Sequence, residues 1–288
     1  MKPAEFITEV KESQFYYDGF EREYAIFQRY QELVLNTLKE FCLVCEKYNI
    51  DYQLAYGSLL GAVRDGGQIP WDYDVDVFVP TEERKELVRA LKSTLNQNYY
   101  FFSIENSQEC SHVILRMAPK GYDTRFLHVD VFFMAGFPND AKTAGIYKKE
   151  ICELSLLYKA QKFNFMDRGT NSKREVINML WYRLKGVLKQ ENHIWKGYQK
   201  LAIKYPINTA KLCCSADRFS SYYEFPTSMI TDTVMLDTTN GSYRVPKDYP
   251  QILKIIYGDY ASIPPLKNRI AEFRRHFDFL ISNCSLKE

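Results

Sequence analysis

Between Pro70 and Val79 the chain reads Pro-Trp-Asp-Tyr-Asp-Val-Asp-Val-Phe-Val, with carboxylates at the alternate positions Asp72, Asp74 and Asp76. In an extended strand alternate side chains share a face, so the three acids point one way while Val75, Val77 and Val79 point the other. Ionised carboxylates crowded on one face repel one another and resist desolvation. A strand that otherwise reads as buried tolerates them when a cation sits among them. Oxygen ligands select a hard ion, and Mg²⁺ takes one or two carboxylates while leaving its other positions to water and substrate phosphate. The pattern predicts a Mg²⁺ site, open to Mn²⁺ as well, and a substrate that is a phosphate ester. Solvent-facing acids on an edge strand are the plainer reading of the same residues.

The 288 residues are enough for a substantial core, as one large domain or as one domain with a helical extension. An apolar fraction of 46%, with 22 Tyr and 19 Phe, excludes disorder. A formal charge of +2 says little about partners, and with no recognised binding motif no nucleic acid is expected. The first residues lack a charged-then-apolar signal pattern, and no apolar run approaches the ~20 residues that span a bilayer, so a cytoplasmic protein is expected. Seven cysteines without regular spacing predict reduced thiols. Cys42 and Cys45 have the spacing of half a zinc site, but they fall inside a helical pattern with no second pair, which favours a core position.

From Ile26 to Tyr48 apolar residues recur at helical spacing, with Asn49 as the stop. Ile50, Tyr52 and Leu54 alternate as a strand would, and Leu59 to Val63 forms a short helical turn. A Gly- and Pro-containing loop, Arg64 to Pro70, leads to the acidic strand, after which Thr81 caps a helix with Leu87, Val88, Leu91 and Leu95 on its buried face. Tyr99 to Ile104, His112 to Met117 and Leu127 to Met134 read as strands. The last carries Asp130 within a strongly β-prone run, and a cross-strand neighbour spacing of ~5 Å would bring it to the same site as Asp74 and Asp76. His128 shares that strand face and is the histidine expected to hydrogen-bond there. Beyond Gly136 the pattern is helical, with Val176, Ile177, Leu180, Trp181, Leu184 and Leu188 marking one helix and Ile194, Tyr198, Leu201 and Tyr205 another.

Gly57-Ser58, then the residues from Leu59 to Tyr73, then Asp74-Val75-Asp76-Val77 resembles the nucleotidyltransferase-fold signature. A Gly-Ser turn opening a helix presents N–H groups and a hydroxyl to phosphate oxygens, while paired acids hold Mg²⁺ against those oxygens. A third acid on a later strand can hold a second metal or take the proton of the attacking hydroxyl. The longer block Tyr56 to Arg64 with Ile69 to Asp76 is similar to the LicD family. So are the strand Val129-Asp130-Val131 and a late segment of Val245 to Tyr249, Tyr257-Gly258-Asp259-Tyr260 and Pro264-Pro265. Tyr257 and Asp259 fit either a helix end or a ligand contact.

The resemblance implies an α/β (α+β) fold with a nucleotidyltransferase-like mixed sheet flanked by helices. Residues 1–140 would be the catalytic core with its N-terminal helix, and 141–288 a mainly helical extension completing the substrate cleft. It further implies transfer of phosphocholine from CDP-choline to a sugar hydroxyl of a cell-surface glycan, such as lipopolysaccharide or teichoic acid, with release of CMP. Fukutin-related proteins share the fold and transfer ribitol phosphate. On this resemblance Asp74, Asp76 and Asp130 are the catalytic, metal-binding acids, and Gly57, Ser58, Arg64, Trp71 and Asp72 belong to the substrate-binding block, with Arg64 matched to a phosphate-pairing arginine. Asp65, Gln68 and Tyr73 depart from the family pattern of His, an aromatic and an acid, which bears on the donor. A metal-dependent glycosyltransferase using an Asp-x-Asp pair, or a non-catalytic glycan- or nucleotide-binding protein, are the readings from other classes.

From Ser172 to Lys204 the residues Lys173, Arg174, Arg183, Lys185, Lys189, Lys196, Lys200 and Lys204 stand against Glu175 and Glu191, interleaved with Trp181, Tyr182, Trp195 and Tyr198. Such a region fits a solvated helix face; it also fits contact with an anionic membrane surface, the inner face of the cell membrane on a cytoplasmic reading, or with a lipid-linked acceptor.

Overall fold

The structure, a computed structural model, describes residues 1–165, 172–215 and 223–286. Helix α1 (Pro3–Lys11) precedes α2 (Phe20–Tyr48), in which Tyr24, Phe27, Tyr30, Val34, Leu38, Phe41 and Cys45 are buried at intervals of three and four. That stripe lays α2 against the main sheet. Asn49 ends it in the left-handed region at φ 52°, as the sequence predicts. Cys42 and Cys45 are buried core residues, and burial pushes the Cys42 thiol up to about 12.

After β1 (Gln53–Leu54) come α3 (Tyr56–Leu60), a π-helical turn over Gly61–Asp65 and β2 (Val75–Pro80). A 3₁₀ turn, Thr81–Glu83, leads to α4 (Arg84–Thr94). The strands β3 (Tyr99–Phe102), β4 (Leu115–Pro119) and β5 (Val129–Phe137) complete the centre of the sheet. Thr81 does not cap a helix as expected: its hydroxyl donates to the carbonyl of Met134, tying the end of β2 to β5. The helical run expected at Leu59 to Val63 is longer, because the π-helical turn extends α3 to Asp65.

Helices α5 (Ala141–Lys162), α6 (Lys173–Lys185) and α7 (Glu191–Ala202) follow. Next are β6 (Leu212–Ser215), β7 (Phe225–Pro226) and α8 (Ser228–Thr231). The chain then forms the hairpin of β8 (Thr233–Thr238) and β9 (Gly241–Pro246), then α9 (Tyr249–Tyr257) and α10 (Leu266–Asn283).

The described strands of the main sheet run β1-β2-β5-β4-β3, with β6 pairing β5 beyond β4, and β7 pairing β6. Only β2 and β5 are parallel, which makes the sheet mixed and the fold α/β. This parallel pair is central and reads as nearly continuous apolar sequence, the pattern of strands covered on both faces. The region 141–288 is not helical alone: it supplies β6 and β7 to the sheet, and residues of α9 and α10 join the main core with Phe78 and Phe132. Helices α5 and α7 build a second core against the end of β5 around Phe137, Tyr158, Trp195 and Tyr198. Among the described residues no helix is long and apolar enough to cross a membrane.

Candidate active site

The parallel register of β2 and β5 puts Asp76 opposite Asp130, as the sequence predicts. On the other side of β5, Asp130 is opposite Arg116 of β4. The strand itself begins at Val75, so of the three alternating acids only Asp76 lies on it; Asp74 immediately precedes it and Asp72 closes the Pro70–Trp71 turn, its N–H donating to the Ile69 carbonyl. The turn form has a local cause, since Asp72 Oδ1 accepts the Asp74 N–H at 3.2 Å, a side-chain bond that competes with strand pairing.

Ser58 stands over this edge. Its Oγ accepts the N–H of Asp76 at 2.8 Å, which fastens the Gly-Ser turn to β2 and leaves the hydroxyl hydrogen to donate elsewhere. A Cβ on Gly57 would lie 3.4 Å from Asp72 Oδ2, so the glycine and this acid are direct neighbours. Tyr56, which opens the turn, has φ 41°, a strained value for a bulky residue, and its ring is held against Phe78 and Phe132 at 4.9 and 5.3 Å between centroids.

The loop that carries Asp72 and Asp74 is fixed by its own carbonyls. Tyr24 donates to Pro70, and Gln31 Nε2 donates to Ile69 and to Asp72 at 3.1 and 2.6 Å. His276 Nδ1 lies 3.1 Å from the Trp71 carbonyl and 3.6 Å from Asp72 Oδ1. Further back, Asn240 at the hairpin tip accepts the Gln68 N–H at 2.9 Å, and Thr239 N–H donates to Gly66. Three separate elements, α2, α10 and the β8–β9 hairpin, therefore set the position of the acids.

Electrostatics divide the acids into two kinds. Burial pushes the Asp72 carboxyl up to about 6. Asp74 is open to solvent yet crowded by protein, and this desolvation, with the charges of Asp72 and Asp130, also raises it to about 6. Burial acts on Asp130 in the same direction, but His128 and Arg116 overcome it and hold that carboxyl well below the usual range. Arg116 Nε and His128 Nε2 both address Asp130 Oδ1, at 2.8 and 3.2 Å, while His128 Nδ1 is buried without a hydrogen-bond partner.

Arg64 and Trp71 are placed differently from their expected role. Asp65, one of the departures visible in the sequence, takes the Arg64 guanidinium at 2.7 Å, and the two side chains are 8% and 0% exposed. Trp71 is buried against Phe6, Arg64 and Arg269. As placed, both residues brace the loop from the core side, because a buried arginine satisfies its charge with the nearest carboxylate. In the late motif, Gly258 ends α9 at φ 68°, Asp259 accepts from Ser262, and Tyr257 is exposed at the helix end; α9 packs against α3.

Arg116, His276, Gln31 and Asn240 carry no signal in the sequence reading except Arg116, a charge within an apolar strand like Asp130 itself. His128 is marked by its place on the strand of Asp130, whereas His276 reaches the acids from the far end of the chain with no local pattern to mark it.

Asp74 and Asp76 are the pair suited to a divalent cation. Burial is the main cause of the raised Asp72 and Asp74 carboxyls, with the Asp72 charge adding to it at Asp74, a cost that a bound hard cation would relieve. Among the described residues no group of three or more His, Cys, Asp or Glu side chains forms a ready-made metal cage.

A mixed sheet with acids on adjacent parallel strands beneath a Gly-Ser turn defines a transferase of the nucleotidyltransferase type. A family model described as LicD/FKTN/FKRP, nucleotidyltransferase domain, matches residues 49–171. The chain is 26% identical over 256 residues to the lipopolysaccharide cholinephosphotransferase LicD of Haemophilus influenzae, a match covering 82% of this chain and 92% of that protein. It is also 52% identical over 40 residues to the ribitol 5-phosphate transferases FKRP of Mus musculus and Homo sapiens, covering 14% of this chain and 8% of each of those proteins.

Proposed function

We propose that the protein is a Mg²⁺-dependent phosphotransferase that moves phosphocholine from CDP-choline to a sugar hydroxyl of a cell-surface glycan and releases CMP. The observation that carries this reading is the register pairing of Asp76 with Asp130 beside Ser58, in a chain similar to a cholinephosphotransferase over most of both lengths.

Asp74 and Asp76 hold the metal in this reading, and Mg²⁺, when bound, neutralises charge on the donor pyrophosphate. Ser58 orients a phosphate oxygen through its remaining hydroxyl hydrogen while Asp76 N–H fixes the oxygen. Asp130, kept ionised by Arg116 and His128, contributes fixed negative charge rather than proton uptake, since a carboxylate held so far below neutrality is a poor base. The acceptor hydroxyl oxygen bonds to the phosphorus bearing choline, the bond from that phosphorus to the CMP oxygen breaks, and the hydroxyl proton passes to solvent water. Such a transfer needs positioning and charge neutralisation more than a nucleophilic side chain.

The short but closer match to FKRP favours a second reading, transfer of ribitol phosphate by the same site. A donor screen with CDP-choline, CDP-ribitol and CDP-glycerol, reading CMP release and acceptor phosphorus by ³¹P NMR, decides between them. In a parallel assay with UDP- and GDP-sugars, release of UDP or GDP with a sugar added to the acceptor rejects both in favour of glycosyl transfer.

A further inference from the structure

Helix α6 turns an apolar stripe away from the protein. Its inner side is fixed: Met179 is buried, Tyr182 packs on the second core, and Arg183 donates to the carbonyls of Ala160 and Gln161 at 2.7 and 2.8 Å, satisfying the open end of α5. With that side set, Ile177, Leu180, Trp181 and Leu184 share the outer face, and Val187 and Leu188 follow in the turn beyond Gly186. All six are exposed, Trp181 at 64% and Leu188 at 96%. A contiguous apolar surface of this kind marks an interaction site.

The charges around it select the partner. Lys173, Arg174, Lys185 and Lys189 are exposed on or beside the stripe. Glu175, the acid of α6 itself, is committed to the capping box with Ser172, and Lys185 also reaches Glu153 of α5 at 3.0 Å. Trp195 and Tyr198, aromatics of the basic region outside α6, are buried and stacked on each other at 5.2 Å, so among the described aromatics of that region Trp181 of α6 is the exposed one. Against a second copy of itself the same face would set like charges against like.

We propose that this face of α6 docks on an anionic lipid bilayer, the helix lying in the interfacial plane with the stripe in the acyl boundary and Lys173, Arg174, Lys185 and Lys189 among the headgroups. This does not depend on which donor or acceptor the enzyme uses.

The test is co-sedimentation of the full chain at low salt with vesicles of phosphatidylcholine, alone or with roughly one-third phosphatidylglycerol. Binding to the anionic vesicles is expected to be at least about tenfold tighter than to neutral ones and to weaken with salt. Tryptophan emission should shift to the blue, a signal from Trp181 because Trp71 and Trp195 are already buried. Leu180→Glu with Leu184→Glu should lower the affinity about tenfold or more with unchanged circular dichroism. Lys173→Glu with Lys189→Glu, at the polar margin, should do the same for anionic vesicles only. Absence of binding at low salt, equal binding by wild type and both variants, or a concentration-dependent dimer that Leu180→Glu with Leu184→Glu dissolves, each overturns the proposal.

Discussion

Arg116 and Asp130 face each other across β4 and β5, with Nε 2.8 Å from Oδ1. The arginine, together with His128, offsets the cost of burying this carboxylate and keeps it charged well into acid. Because the folded pKa is depressed, the pair contributes stability above the ordinary carboxylate range, and that stability is lost as pH falls through the folded value. Arg116→Gln should therefore lower stability most near neutrality, and the gap from wild type should close below about pH 4. Turnover should fall about tenfold to a hundredfold, with the acid limb of the pH profile moved upward. Denaturant titrations and kcat at a series of pH values check both; an unshifted acid limb means Arg116 does not act through Asp130.

Asp74→Asn and Asp76→Asn should each reduce CMP release by about a thousandfold or more while leaving the protein folded, since each removes a metal-binding charge with little change of shape. For Asp74→Asn the metal-free thermal midpoint at neutral pH should not drop, because the lost carboxylate is one whose ionisation the fold opposes. Unchanged rates at saturating Mg²⁺ would remove both acids from the mechanism.

Protons and metal should compete at this site. Asp72 and Asp74 have raised folded pKa values, so the folded state binds protons more tightly than the unfolded state between the ordinary value and about 6. Their contribution to stability is present in acid and is lost as pH rises through that window. Thermal melts with and without Mg²⁺ should show a gain of a few degrees at about pH 7 that shrinks toward about pH 5. A gain of equal size at both pH values contradicts metal binding at Asp74, the raised group of the proposed pair.

Two glycines near the site should respond differently to alanine. At Gly61 a Cβ would lie 2.6 Å from the Gly67 carbonyl oxygen and 3.0 Å from the Ile69 nitrogen, both backbone atoms of the loop that leads to the acids. At Gly67 it would meet the side-chain ends of Thr239 and Asn240, which can shift at the cost of their hydrogen bonds to Gly66 and Gln68. Gly61→Ala should cost about 3 kcal/mol or more and Gly67→Ala about 1 kcal/mol, measured by denaturant unfolding, with the order reversed if the hairpin tip is the more rigid element.

The sequence alone determined the elements whose signal is local. The apolar spacing of α2 and its stop at Asn49 follow from helical periodicity, and the β-prone runs around Asp76 and Asp130 predict two strands and the cross-strand pairing of those acids. Alternation, however, does not separate a strand from an extended turn, which is why Asp72 and Asp74 read as strand residues although Asp72 Oδ1 captures the Asp74 N–H first. What only the tertiary structure decided is which distant groups arrive: Gln31 and His276 on the loop carbonyls, Arg116 on Asp130, and the outward rotation of α6 set by Met179 and Arg183. Periodicity states that a face is apolar or charged. It does not state what covers that face, because the partner is chosen by packing and desolvation between residues far apart in the chain.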